Sequence, residues 1–125
     1  MNWEFSNFGN FIAKKREEKQ ITLRDMAKGL DITAQYLSDV EKDRRNAFDL
    51  EKLDTLAQIL NLSDENKILM YDLAGKRRNT VAPDLPGYIM ERDYVTTALR
   101  TARDLNATEE EWLRFTDHLK KSRDI

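Results

Sequence analysis

The chain has no cysteine and a single histidine, His118. Without thiols there is no disulfide framework and no cysteine-based zinc site. A lone histidine without a companion ligand set reads as a surface or core-edge residue rather than a metal ligand or catalyst. Two prolines and four glycines leave long stretches without a breaker, which favours helices joined by short turns over a sheet-rich fold. No apolar run approaches the roughly 18 residues that a membrane span requires. The opening MNWEFSNFGNF lacks the cationic-then-apolar pattern of a secretory signal. Together these absences predict a reduced, cytoplasmic protein with no membrane partner, no cofactor and no metal.

An excess of one charge is also missing. Lysine and arginine number 21 against 23 acidic residues, a net charge of −2, and residues 1 to 50 hold nine groups of each sign. Affinity for nucleic acid comes mostly from neutralising phosphates. A chain this neutral would have to gather its cations on one face, and two copies would hold DNA better than one. What the chain has in quantity is apolar residues at 40% and charged residues at 35%, the balance of a surface-rich helical protein with a modest core.

Apolar residues recur at three- and four-residue spacing in short segments, the period of helices with one buried side. Phe8, Phe11 and Ile12 open the first. Thr22 reads as the N-cap of a second, with Leu23, Met26, Ala27 and Leu30 inward. After a break at Asp31-Ile32, Thr33 caps a third carrying Tyr36, Leu37 and Val40. Asp49 caps a fourth with Leu53, Leu56, Ala57 and Leu60. Ser63 caps a fifth over 64–74, and Gly75 stands where a left-handed C-cap belongs. The spacing therefore places a domain over 1–74. The stretch GKRRNTVAPDLPG reads as a linker over 75–87, with Lys76, Arg77 and Arg78 solvated. Residues 88–125 read as two further helices, one carrying Val95, Ala98, Leu99 and Ala102. The other opens on a capping box of Thr108 and Glu111 and carries Trp112, Phe115, Thr116 and Leu119.

The informative stretch is TLRDMAKGLDITAQYLSDVEKDRR, residues 22 to 45. It supplies two short helices across a turn, a small residue (Ala27) where they cross, an apolar residue (Ile32) past the turn, and two anchors, Leu37 and Val40. The polar residues between the anchors are left facing outward, where they can enter a major groove.

Over roughly Phe8 to Leu62 this pattern resembles the phage repressor/Cro-like, or XRE, helix-turn-helix family. Arg16, Glu41, the run YLSDVE and Leu53, Leu56, Ala57, Leu60 and Leu62 carry the resemblance. Asp31 and Asp43 stand where the family commonly has glycine, and Ala47-Phe48 where proline is frequent. The resemblance implies an all-α fold: a five-helix repressor-like helix-turn-helix domain followed by a small C-terminal helical extension. It implies that Arg16 and Glu41 pair across helices. It also implies that the helix over 33–42 presents Thr33, Ala34, Gln35, Ser38 and Asp39 to base edges.

Gln35 is the leading base reader, since its amide can pair bidentately with adenine N6 and N7. Asp39 can accept from cytosine N4 but repels phosphates. Arg24, Tyr36, Lys42, Arg44, Arg45 and Asn46 are the expected phosphate contacts.

The function expected is a double-stranded-DNA-binding transcription regulator, a repressor acting as a homodimer. A different class, an antitoxin or adaptor, would use the same motif on DNA and the C-terminal helices on a protein partner. Catalysis finds no support: Glu109, Glu110 and Glu111 suit the first turn of a helix, and no phosphate-cradling loop or nucleophile motif is present. Trp112 and Phe115 belong to a two-helix tail with little to bury against itself. That tail is expected to pack on the first domain or on a second copy.

Overall fold

The computed structural model describes residues 7–125, so the start of the expected first domain, residues 1–6, lies outside the described residues. Every described residue that adopts regular structure is helical. Five helices form the first unit: α1 (Phe8–Glu18), α2 (Leu23–Gly29), α3 (Ala34–Glu41), α4 (Leu50–Ile59) and α5 (Asp64–Arg78). Each starts where a short polar side chain can take a free backbone N–H. Asn7, Thr22, Thr33, Asp49 and Ser63 accept from the N–H groups of Asn10, Asp25, Tyr36, Lys52 and Asn66, respectively. A cap of this kind is worth ~1 kcal/mol.

The apolar stripes of these helices meet in one core. Phe8, Phe11, Ile12, Met26, Leu37, Val40, Leu53, Leu56, Leu60 and Met70 are buried in it, and Phe48 from the loop before α4 joins them. Phe48 packs edge-on against Phe8, with ring centroids 5.9 Å apart. Tyr71 of α5 donates to the Asp54 carboxylate of α4 at 2.6 Å. Partial burial, then that hydrogen bond, push its phenol up to about 12.

The linker expected over 75–87 begins later. Helix α5 continues through Arg78, so Lys76, Arg77 and Arg78 form its last turn, where cations meet the negative end of the helix dipole. The left-handed cap is Asn79 (φ 59°, ψ 44°), and Gly75 lies inside the helix. Gly75 is glycine for a different reason. A Cβ there would stand 2.8 Å from the Val81 carbonyl oxygen and 2.9 Å from the Ala82 nitrogen, because the chain turns back against the helix.

Gly9 in α1 has the same role at the other end. A Cβ on it would meet the carbonyl oxygens of Val40 and Glu41, the latter at 2.6 Å. The missing side chain is what lets α1 touch the end of α3.

A second unit runs Gly87–Ile125. A short helix α6 (Pro86–Met90) precedes the two expected ones, α7 (Asp93–Asp104) and α8 (Glu109–Ser122). The capping box at α8 is formed: Thr108 accepts from the Glu111 N–H and Glu111 accepts from the Thr108 N–H. The Thr108 N–H, and then its hydroxyl, donating to the Glu111 carboxylate, hold that carboxyl below its ordinary range. None of the residues of α7 or α8 is buried.

Alanine is normally the better helix former by about 1 kcal/mol, so Gly9→Ala is a sharp test of the α1–α3 contact. We expect it to destabilise the protein by ~1–3 kcal/mol, the usual result of forcing a methyl into a filled space. Thermal unfolding followed by circular dichroism would show the midpoint falling. An unchanged or higher midpoint would refute the close approach.

Candidate nucleic-acid interface

The turn between α2 and α3 closes with two backbone bonds. The Asp31 N–H donates to the Lys28 carbonyl at 3.1 Å and the Ile32 N–H to the Ala27 carbonyl at 3.0 Å. That closure requires Asp31 to adopt φ 57°, a left-handed conformation that aspartate tolerates better than most residues. Leu37 and Val40 then anchor α3 in the core. Residues 34, 35, 38 and 39 occupy the remaining face, one helical turn apart in pairs.

On that face Thr33, Ala34 and Gln35 are exposed, and Ser38 and Asp39 are half-buried. Thr33 is tied as the cap, its Oγ1 accepting from the Tyr36 N–H at 3.0 Å. Gln35 and Asp39 are not independent. The Gln35 Nε2 donates to Asp39 Oδ1 at 3.1 Å, and the Arg44 Nη1 stands 3.8 Å from the same oxygen.

The cations expected at phosphates fall into two groups. Arg24 at the start of α2 and Lys42 at the end of α3 are exposed. In the loop that follows, Arg44 and Arg45 are exposed as well. The Arg45 guanidinium lies over the Tyr36 ring at 4.5 Å, and Tyr36 itself packs on Phe48 at 6.0 Å between centroids. Tyr36 is therefore half-buried, its ring a platform for Arg45. Asn46 is engaged from elsewhere, its Oδ1 accepting from Arg77 Nη1 at 2.8 Å.

Arg77 and Arg78 are the residues that sequence reasoning missed. Arg77 Nε donates to Asp43 Oδ1 at 2.6 Å and Arg78 Nε to the Ala47 carbonyl at 2.8 Å. The last turn of α5 thus braces the loop 43–47 that carries Arg44 and Arg45. The basic run was visible in the sequence; its partners, more than thirty residues upstream, were not.

Between the ends of α1 and α3, Arg16 and Glu41 form a bidentate pair. Nε donates to Oε2 at 2.8 Å and Nη2 to Oε1 at 3.0 Å, and the remaining Nη1 donates to the Ile21 carbonyl at 3.0 Å. The hydrogen bonds to Glu41 raise the Arg16 pKa further above its ordinary value, against the opposing effect of burial. One guanidinium therefore links the end of α1, the α1–α2 turn and the end of α3.

Among the described residues no group of three histidine, cysteine or acidic side chains could hold a metal ion. His118 is exposed on α8. Among the same residues no helix is long and apolar enough to cross a membrane.

A helix-turn-helix family model, HTH_3, matches residues 12–65. No curated protein matches the chain. Among solved structures the chain is similar to the biofilm master regulator SinR in complex with DNA, at 23% identity over 49% of this chain and 97% of that one, with a TM-score of 0.43. It is also similar to the clp gene regulator ClgR from Corynebacterium glutamicum, at 25% identity over 58% and 73%, with a TM-score of 0.46. A third likeness, to the SinR protein/SinI protein complex, has 18% identity over 94% and 99% and a TM-score of 0.45.

Arg16 and Glu41 keep only 15% and 8% of their side-chain surface in solvent, so removing one partner leaves a poorly hydrated charge. Glu41→Ala should cost about 3 kcal/mol, as for other pairs shielded from water. The double replacement Arg16→Met/Glu41→Leu should recover most of that loss. Urea unfolding of the three proteins decides it; a Glu41→Ala protein as stable as the parent would show that the pair does not hold the helices.

Proposed function

Because a helix-turn-helix family model matches residues 12–65, we propose that this chain is a DNA-binding transcription regulator of the repressor-like (XRE-type) kind that reads the major groove with α3. The observation that carries the reading is the exposed polar face of α3, with Arg44 and Arg45 packed against its residues Asp39 and Tyr36. Thr33, Ala34 and Gln35 are exposed, and so are Arg24 at the start of α2 and Lys42, Arg44 and Arg45 at and just beyond the end of α3. The polar face supplies hydrogen bonds to base edges, and the cations supply the phosphate contacts that set register. Asn46 is held in the loop through its Oδ1 by Arg77, which leaves its amide N–H groups to meet a phosphate. Nothing in this reading is catalytic.

The regulator acts as a homodimer and a repressor. A net charge of −2 gives one copy few phosphate contacts to set against DNA repulsion. Two copies on half-sites about one helical turn apart would double them. Repression needs only that a bound dimer occupy the promoter. The second unit supplies a surface for pairing: Tyr88, Tyr94, Val95, Leu99, Trp112 and Phe115 line an open apolar groove of about 370 Å³. Trp112 and Phe115 meet edge-to-face with centroids 6.4 Å apart. The same groove favours the second reading, an adaptor or antitoxin whose C-terminal helices take a different protein.

Two measurements test these statements. A labelled duplex from upstream of the protein's own gene, titrated at two salt concentrations, should bind saturably and more weakly as salt rises. Gln35→Ala should lose roughly tenfold or more on this duplex, within the range of a lost bidentate base contact, and change little on a scrambled one. Equal, weak binding of wild type to both duplexes would count against a regulator of its own promoter. Sedimentation equilibrium at micromolar concentration should give the mass of two chains, and Trp112→Asp should return it to one with helical content unchanged. A one-chain mass for the wild type would remove the homodimer and leave the adaptor reading ahead.

A further inference from the structure

A glutamine in the major groove carries an ambiguity that the groove does not resolve. Its amide has an acceptor end and a donor end, related by a half-turn about the last side-chain torsion. Adenine and guanine both present N7 as an acceptor and differ in the neighbouring group, an N6 amino donor in adenine and an O6 acceptor in guanine. Oxygen toward that position suits adenine; the NH₂ group there suits guanine. A glutamine free to turn over can pair with adenine through both ends, or turn its NH₂ group alone to the two acceptors of guanine.

Gln35 is not free to turn over. Its Nε2 donates to Asp39 Oδ1 at 3.1 Å, one helical turn along the same face. A carboxylate only accepts, so the end of the amide that meets Asp39 must be the nitrogen. One N–H is engaged there, leaving Oε1 and the second N–H for the groove. We propose that Asp39 is the positioning residue that fixes the orientation of the Gln35 amide, and so makes α3 choose adenine over guanine at the base pair Gln35 reads.

The proposal rests on α3 being the recognition helix. It also explains a carboxylate on a DNA-facing surface, where phosphate repulsion would otherwise count against it. Asp39 is half-buried, with 23% of its side chain exposed, and Arg44 stands 3.8 Å away to balance its charge.

The test is selection from a random duplex library, followed by binding to single duplexes at fixed salt. It uses full-length wild type, Gln35→Ala, Asp39→Asn and the double variant. Gln35→Ala assigns the position, since it loses preference there and keeps it elsewhere. Wild type is expected to prefer A·T over G·C at that position by about tenfold or more, within the usual cost of one wrong base pair. Asparagine has the shape of aspartate but can donate as well as accept. It lets the amide turn over, and Asp39→Asn should shrink the preference below about threefold while other positions keep theirs. In the Gln35→Ala background the same change should have no effect at that position, which a merely structural role for Asp39 would not produce.

Asp39→Asn that retains the adenine preference overturns the proposal and leaves the recognition helix intact. A wild-type preference for guanine there does the same. Wild type that enriches no sequence, or Gln35→Ala that alters none of its positions, overturns the reading of α3 and the proposal with it.

Discussion

Arg16 and Glu41 meet where three pieces of chain would otherwise drift apart. Helix α1 ends at Glu18 and α3 at Glu41, and neither end is held by the polar caps that fix the helix starts. The bidentate pair, with the third contact to the Ile21 carbonyl, joins them in a place with little water, where an ion pair is strong if its remaining valences are met. Gly9 makes the arrangement sterically possible by leaving room for the carbonyl oxygens of Val40 and Glu41. Charge pairing and a missing side chain thus act on one junction. The outward face of α3 is presented with the end of the helix secured there and Leu37 and Val40 seated in the core.

A second restraint acts on the loop beyond α3. Arg77 and Arg78 reach from α5 to Asp43, Asn46 and Ala47, so the residues that carry Arg44 and Arg45 are held by a helix from outside the motif. Arg45 is held again by the ring of Tyr36. Long cationic side chains lose much rotamer freedom on being ordered. Here part of that ordering is already present in the protein alone.

What the sequence disclosed divides along the distance over which each feature acts. The caps at Thr22, Thr33, Asp49, Ser63 and Thr108 were legible because each acts on an N–H three residues away. The core positions were legible from helical spacing, and the all-α architecture followed. The end of α5 was misread: Gly75 had the identity of a C-cap, but its small size serves a contact with Val81 and Ala82 that no local pattern encodes. The α3 face was legible as a set of residues but not as a network. The Gln35–Asp39 spacing of four was a usable signal, whereas the reach of Arg77 to Asp43 was not. The short helix α6 before the final pair carried two residues, Pro86 and Gly87, that read as turn material.

The helix ends have a pattern of their own. Gln20, Asp31, Asp43, Asn61, Asn79, Asn106 and Asp124 all have positive φ, and no described glycine does. Each is followed by a residue whose N–H reaches back into the helix, as Ile21 does to Arg16, Leu62 to Ala57 and Ala107 to Ala102. A glycine at such a site folds with less strain but roams more widely when the chain is unfolded. By ending its helices on side chains, this protein accepts a little torsional tension in the native state and in return narrows the ensemble from which it folds. Part of its stability therefore belongs to the disordered chain, where no native contact records it.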